Sequence, residues 1–371
     1  MPEPNGFIPV NDLRRSVTAT SAEIRVAVER VLASGWYVMG PEHDAFESEI
    51  ASFVGVRHAI GVANGTDALV LGLIATGCEA GDEVVTVANA GGYASNAMAQ
   101  IGCRVVYADV DSTTLMMTLE TFKAVVGPQT RAVVVTHLFG NVVDVQAIID
   151  FCLPRGITVV EDCAQAIGAT IEEKRVGTFG RVGTLSFYPT KNLGAAGDGG
   201  AVVTDDDAVF HRLRALRQYG WTAKYQVTEP RGRNSRLDEI QAAILRVGLH
   251  HVDHLNSRRR EIVARYAEAA SGPRLRVVTG AGGPTVAHLA VLRSVDRPAA
   301  RDRFEAAAVG TDVHYPMPDH RQPALPPPDR ITSLFETESA ANEIFTIPCF
   351  PDMREDEIDR VCRVIHEVSE T

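Results

Sequence analysis

Short, almost wholly apolar runs alternate with amphipathic stretches along most of this chain. The runs at 58–63, 83–87, 104–107, 131–137 and 157–162 have the pattern of strands buried on both faces. Between them, 95–101 and 144–152 repeat their apolar positions at helical spacing, as does the stretch from Ala68 through Leu73 and Ile74. Two amphipathic helices precede the first strand. One starts at a Ser21 cap, carries a stripe of Ile24, Ala27, Val28, Val31 and Leu32, and ends near Gly35; the other buries Phe46, Ile50 and Phe53 and stops at Gly55. Regular alternation of strand and helix predicts a mostly parallel sheet covered by helices.

The pattern continues through two strands, Gly183 to Pro189 and Ala201 to Thr204, joined by a loop rich in glycine. After Asp206 the texture changes. A helix finishes at Tyr219, Trp221 to Tyr225 reads as an aromatic loop, and Leu237 to Tyr266 reads as one long helical segment. The arginines and histidines near His250 to Arg260 are taken as a solvated helix face. The remainder reads as a smaller α+β unit with a proline-rich loop at 316–328 and a closing helix, Glu355 to Glu370. The expected organisation is an N-terminal arm at 1–20, kept irregular by Pro2, Pro4 and Pro9, a large domain at 21–248 and a small domain at 249–371.

Composition narrows the class. The chain has 371 residues, 45% hydrophobic and 22% charged, enough for a large core in two or three domains. A net charge of -11 argues against nucleic acid or an anionic membrane as partner. The six cysteines are scattered with no Cys-x-x-Cys pair, so neither a metal site nor a disulfide framework is expected. No apolar run approaches about 18 residues and no basic-then-apolar leader opens the chain, so a soluble cytoplasmic protein is expected.

Candidate chemistry falls at the carboxyl ends of the strands, where such sheets bind ligands. Asn64-Gly65-Thr66 joins a strand to a helix start, which is either a plain capped helix or an anion site suited to phosphate. Asp162 ends a buried strand, and Tyr93 follows another through Ala90-Gly91-Gly92. Lys191 lies in the glycine loop after Pro189; it is either a surface lysine or, partly buried, an amine of lowered pKa. Anion cradle, aromatic, acid and lysine together are what pyridoxal 5′-phosphate needs for its phosphate, ring face, ring nitrogen and aldehyde.

These segments resemble the DegT/DnrJ/StrS family of sugar aminotransferases, of the pyridoxal-phosphate-dependent fold type I. The likeness runs through Gly35 to Pro41, Asn64 to Leu69, Glu161 to Ala166, Gly183 to Gly200, Asn234 to Leu245 and His314 to His320. It implies a seven-stranded-type sheet sandwiched by helices, with a smaller C-terminal α+β domain. It implies Lys191 as the Schiff-base lysine and proton carrier, Asp162 on the ring nitrogen, and Gln165 near the ring hydroxyl or ring face. Gly65, Thr66 and the Ser186 hydroxyl would bind the phosphate, and Asn234 would reach the neighbouring subunit's cofactor in a homodimer with shared sites.

Two positions depart from the family pattern. Relatives carry an aromatic slightly earlier than Tyr93, which is the nearest substitute for stacking, and Arg181 stands where an acid is common. Some relatives carry histidine in place of the lysine and act as dehydratases; Lys191 favours transamination. The expected reaction moves an amino group from L-glutamate or L-glutamine to a nucleotide-activated keto-deoxysugar, dTDP-linked. Tyr219, His314, Tyr315 and His320 are candidates for holding that sugar, and the basic loop Arg231 to Arg236 for offsetting its diphosphate. The rivals are an aminotransferase acting on a keto-cyclitol and a non-catalytic, regulatory protein that binds the cofactor.

Overall fold

The structure, a computed structural model, describes residues 6–280, 285–330 and 333–370. Helices α1 (Leu13–Ser34) and α2 (Pro41–Val54) lead into strand β1 (His58–Val62) and helix α3 (Gly65–Ala75). Next come β2 (Glu83–Val87), α4 (Tyr93–Ile101), β3 (Arg104–Ala108), α5 (Leu119–Lys123), β4 (Thr130–Thr136), α6 (Val145–Cys152) and β5 (Thr158–Asp162). A two-stranded hairpin, β6 (Thr170–Ile171) with β7 (Lys174–Arg175), precedes β8 (Val182–Ser186), β9 (Gly200–Thr204) and α7 (Asp207–Leu216).

Seven of these strands form one sheet in the order β1-β9-β8-β5-β4-β2-β3. Only β9 runs against the rest, pairing antiparallel with β1 and with β8, so the expected mostly parallel sheet is present. Alternate strand residues face opposite layers. Val62, Val134, Val160 and Val202 pack under α3, α4 and α7, while Val85, Val133 and Val159 pack against α5 and α6. Ala59, Leu185 and Val203 meet α2 and helix α8 (Glu239–Leu249). The near-continuous apolar runs follow from this covering of both faces.

Three expectations need correction. The first helix begins at Leu13, eight residues before Ser21, because the Asp12 carboxylate caps it by accepting from Arg14 N–H at 3.0 Å. Ser21 lies inside that helix and its hydroxyl donates back to Thr18 O. The aromatic stretch expected as a loop is a hairpin, β10 (Trp221–Ala223) with β11 (Gln226–Val227). The single long segment is two helices: α8 ends at Leu249, and α9 (Val252–Ala269) starts after a break at His250 and His251.

Beyond α9 a three-stranded antiparallel sheet, β12 (Leu275–Val277), β13 (Ala290–Ser294) and β14 (Ile344–Ile347), packs against α9, α10 (Arg297–Ala306) and α12 (Glu355–Glu370) around its own core of Phe304, Phe345 and Ile365. Helix α11 (Phe335–Glu343) packs on β13. Ile8 joins this core and bridges to Val309, tying the N-terminal arm to the C-terminal unit. No helix among the described residues is long and apolar enough to cross a membrane.

Candidate active site

The ends of β4, β5 and β8 lie side by side, with Thr136 paired to Asp162 and Asp162 to Thr184. Ser186 pairs with Gly200, and Gly200 with Val62 of β1, so the β1–α3 turn arrives directly beside Ser186. Two glycines make this possible. A Cβ on Gly200 would lie 2.4 Å from Asn64 O, and a Cβ on Gly65 would lie 2.7 Å from Ser186 Cβ. Asn64 caps α3 by accepting from Asp67 N–H at 2.8 Å, leaving the earlier N–H groups of the turn without a capping side chain. A helix start and a hydroxyl therefore share one concave corner, as an anion requires.

That corner opens into a cleft of about 920 Å³ lined also by Thr66, Tyr93, Asp162, Gln165, Lys191, His314 and Tyr315. Burial lowers the Lys191 amine to about 8, with the Asp162 charge opposing the fall. Burial also raises Asp162 above the ordinary aspartate range, opposed by the Ala164 N–H at 3.1 Å and by the Lys191 charge. The acid is supported from behind. His137 N–H donates to Asp162 O, and the His137 ring lies 3.1 Å from Glu161, whose carboxylate also accepts from Gly177, Phe179 and Gly180 N–H groups. His137, Glu161 and Cys163 have the proximity of a metal triad, but the first two are committed to this hydrogen-bond framework.

Gln165 is held at both ends of its amide, accepting from Phe139 N–H at 2.7 Å and donating to Tyr315 Oη at 3.0 Å. The Tyr315 ring packs over Gly91, where a Cβ would come within 2.8 Å, and meets Tyr93 edge-on at 6.2 Å. Gly91 thus makes room for Tyr315.

Three expected site residues stand elsewhere. Asn234 is exposed and bridges to Gln218, outside this chain's own cleft. Tyr219 stacks obliquely on Trp221, likewise away from it. His320 is turned back to Glu338 at 3.0 Å and Tyr107, an arrangement that anchors its loop and does not face the cleft. In the basic loop, Arg233 pairs with the cleft residue Asp67 at 2.9 Å, Arg231 donates to Cys78 O, and Arg236 lies over Tyr219. Arg181 forms its own ion pair with Asp206 at 3.0 Å.

Sequence reading missed Thr136, Arg259 and His288, all of which line the cleft. For Arg259 a signal existed. It is in phase with Val252, Asn256, Ile262, Val263 and Tyr266 on the buried face of α9, although its neighbours Arg258 and Arg260 are more open to solvent. Charge density hid the period.

The residues fit pyridoxal 5′-phosphate on structural grounds. The missing Cβ of Gly65 lets the first turn of α3 close on Ser186, so that its N–H groups and the hydroxyl share one corner, and Thr136, 6% exposed, lines the cleft with a buried hydroxyl that has no hydrogen-bond partner among the described residues.

Comparison with known proteins gives the same direction. The sequence profile of the DegT/DnrJ/EryC1/StrS aminotransferase family matches residues 18–366. The chain is 40% identical over 355 residues to the dTDP-3-amino-3,4,6-trideoxy-alpha-D-glucose transaminase of Micromonospora megalomicea, covering 94% of this chain and 95% of that one. It is 37% identical to the UDP-N-acetyl-3-dehydro-alpha-D-glucosamine 3-aminotransferase of Acidithiobacillus ferrooxidans, covering 97% and 98%. The crystal structure of S. venezuelae DesV in complex with a ketimine intermediate superposes with a TM-score of 0.94 at 37% identity, covering 98% and 99%.

Proposed function

Because the chain belongs to the DegT/DnrJ/EryC1/StrS aminotransferase family, we propose that it moves an amino group from L-glutamate or L-glutamine to the keto group of a nucleotide-linked deoxysugar, with dTDP as the nucleotide. The observation that carries this reading is Lys191, its amine lowered to about 8, sharing one cleft with Asp162 and the Gly65–Ser186 corner. A lysine in that position supports transamination over the lysine-free dehydration chemistry.

The cofactor is pyridoxal 5′-phosphate. When bound, it supplies an aldehyde for the amino group and a ring that withdraws electrons from the bonds to be broken. In the proposed assignment Lys191 is the anchoring amine and afterwards the base that carries a proton between the two carbons involved. Its lowered pKa leaves a usable fraction of free amine near neutrality. Asp162 holds the protonated ring nitrogen, an opposite charge that offsets its own cost of burial. The first turn of α3 at Gly65 and Thr66, with Ser186, takes the phosphate. Gln165 and Tyr93 position the ring, and His314 and Tyr315 face the sugar.

The homodimer with shared sites belongs to the same proposal. Asn234 and Tyr219 stand on exposed surface of this chain, where a second copy brings them to a neighbouring cleft. Trp36, Tyr37 and Val38 are exposed on the same molecule, the kind of apolar surface that a partner covers. The division into a large domain at 21–248 and a small one at 249–371 is likewise a proposal, supported by the separate core around β12, β13 and β14.

The test is to load the protein with cofactor and L-glutamate or L-glutamine, then offer dTDP-linked, UDP-linked and nucleotide-free keto-sugars and a keto-inositol. The proposal expects regeneration of the aldehyde form with dTDP-keto-sugars. Preference for the UDP-linked sugar corrects the nucleotide, and turnover with the keto-inositol alone overturns the substrate class. Cofactor binding without turnover on any acceptor favours the regulatory reading.

A further inference from the structure

The turn that carries Tyr93 does not hold its own shape. Gly91 and Gly92 have φ of 79° and 81°, and α4 begins after Gly92 without a capping side chain of its own. The acceptor that reaches this turn comes from 227 residues further along the chain. Asp319, 1% exposed, accepts from Gly92 N–H at 2.7 Å through Oδ1 and from the Ser95 hydroxyl at 2.6 Å through Oδ2. Its own N–H donates to Ala88 O at 2.7 Å, and Ser95 accepts in turn from the Tyr107 hydroxyl at 3.1 Å. One residue of the 314–320 loop is thus lashed to the end of β2 and to the first turn of α4, where a negative charge is favoured.

The same loop and the same turn present cleft residues. Tyr315 accepts from Gln165 at 3.0 Å and packs over Gly91, while Tyr93 opens α4 and meets the Tyr315 ring edge-on at 6.2 Å. Both line the cleft, whereas Asp319 does not. The acid has no cation beside it. His320 and Arg321, next along the chain, turn to Glu338 at 3.0 and 2.7 Å, and Asp319 forms no ion pair among the described residues. Burial pushes its carboxyl up to about 6, opposed by the Ser95 and Gly92 hydrogen bonds. An apolar side chain would fill the place without that burial cost, but it could not hold two donors on a glycine turn. What the acid supplies is placement.

We propose that Asp319 is a positioning residue: by pinning the 314–320 loop to the first turn of α4, it sets His314 and Tyr315 against Tyr93 in the arrangement that receives the keto-sugar. The proposal rests on the aminotransferase reading, with His314 and Tyr315 facing the acceptor. The donor half of the reaction does not pass through this contact. Lys191 lies in the loop between β8 and β9, and its neighbour Asn192 is held by Asn256 and by Val286 O. The far end of the proline-rich segment is tied separately, by Asp329 N–H to Val105 O and by Arg104 to Asp329 at 2.7 Å. Losing Asp319 therefore frees the end nearest the cleft.

The experiment uses the cofactor-loaded protein and follows each half-reaction by absorption, with L-glutamate or L-glutamine as donor and dTDP- or UDP-linked keto-sugars as acceptor. Asp319→Leu should raise the acceptor KM about tenfold and speed amide hydrogen exchange in segment 91–96 about tenfold, with the donor half-reaction within about twofold of wild type. Asp319→Asn keeps an acceptor for Gly92 N–H and can donate to Ser95 Oγ, so it should recover a large part of both losses. A merely structural role would weaken both half-reactions together, in proportion to the unfolded fraction. Unchanged exchange and acceptor KM in a folded Asp319→Leu protein overturn the assignment, as does an equal loss in both half-reactions. If wild type aminates no keto-sugar, the acceptor reading fails on its own, and exchange in segment 91–96 still decides whether Asp319 is the pin.

Discussion

Substituting Gly65 by Ala tests the phosphate corner. The added Cβ would lie 2.7 Å from Ser186 Cβ, 3.0 Å from its Oγ and 3.3 Å from its Cα. These are atoms at or beside the backbone, and Ser186 is pinned by pairing with Gly200, so no flexible side chain can yield. Either β8 or the first turn of α3 must move by several tenths of an ångström, costing about 1–3 kcal/mol. Alanine is favoured over glycine in a helix by about 0.5–1 kcal/mol, which offsets part of that cost. The expected net loss in stability is therefore modest, about 1 kcal/mol, measurable by urea unfolding of the cofactor-free protein. The effect on ligand should be larger. Displacing charge-assisted donors costs about 1.5–3 kcal/mol each, so the Kd for pyridoxal phosphate should rise about 10- to 100-fold. Ser186→Gly on top of Gly65→Ala should restore stability but not full affinity, because the hydroxyl is gone. A Gly65→Ala protein with wild-type affinity and raised stability would refute the reasoning.

Four other outcomes follow from the same structure. Capture of cofactor by the cofactor-free protein should accelerate about tenfold from pH 7 to pH 9, with a midpoint near 8, as Lys191 loses its proton; Asp162→Asn should move that midpoint lower, since Asp162 holds the pKa up. A flat profile followed by stopped-flow absorbance would contradict this. Asp319 accepts from Gly92 N–H at 2.7 Å and Ser95 Oγ at 2.6 Å, so Asp319→Ala should destabilise the protein by about 2 kcal/mol in urea unfolding, tempered by relief of a buried charge. Burial raises Asp319 to about 6, above its unfolded value, so the folded state binds the extra proton between about pH 4 and 6. Its contribution to stability therefore falls as pH rises through that window, and the variant should lose this slope. Arg217 is buried against Glu47 and Gly61 O, so Arg217→Met should cost about 2–3 kcal/mol in urea unfolding by removing the counter-charge of Glu47, which keeps only the Gly61 N–H and the His43 ring as partners. Asn234→Ala should loosen cofactor only in an assembled dimer, read by dialysis at protein concentrations above and below dissociation.

Elements with a strong period were legible in the sequence: β1, β2, β5 and α12 lie within a residue or so of where their apolar patterns place them. Boundaries set by a polar cap were harder. Leu13 and Val17 are both largely exposed, so the start of α1 carries no apolar stripe and only the Asp12 cap marks it. In the cleft, residues announced by a strand end were found, among them Asp162, Ser186 and Lys191. Arg259 and His288 reach it from units far along the chain, so their meeting is a fact of tertiary packing. His320 and Tyr315 sit in one short loop, yet Tyr315 turns toward Gln165 and His320 toward Glu338. Spacing alone does not choose between those directions.

The central claim is that Lys191 anchors pyridoxal phosphate in a protein that accepts amino groups. The direct measurement is the absorption spectrum of the cofactor-loaded protein, before and after L-glutamate or L-glutamine, followed by borohydride reduction and peptide mapping. The account predicts a near-visible band that an amino donor converts to the amine form, and a pyridoxyl group fixed by borohydride on the peptide containing Lys191. A protein that gains no band from added cofactor, or that carries the pyridoxyl group on another lysine, would contradict it.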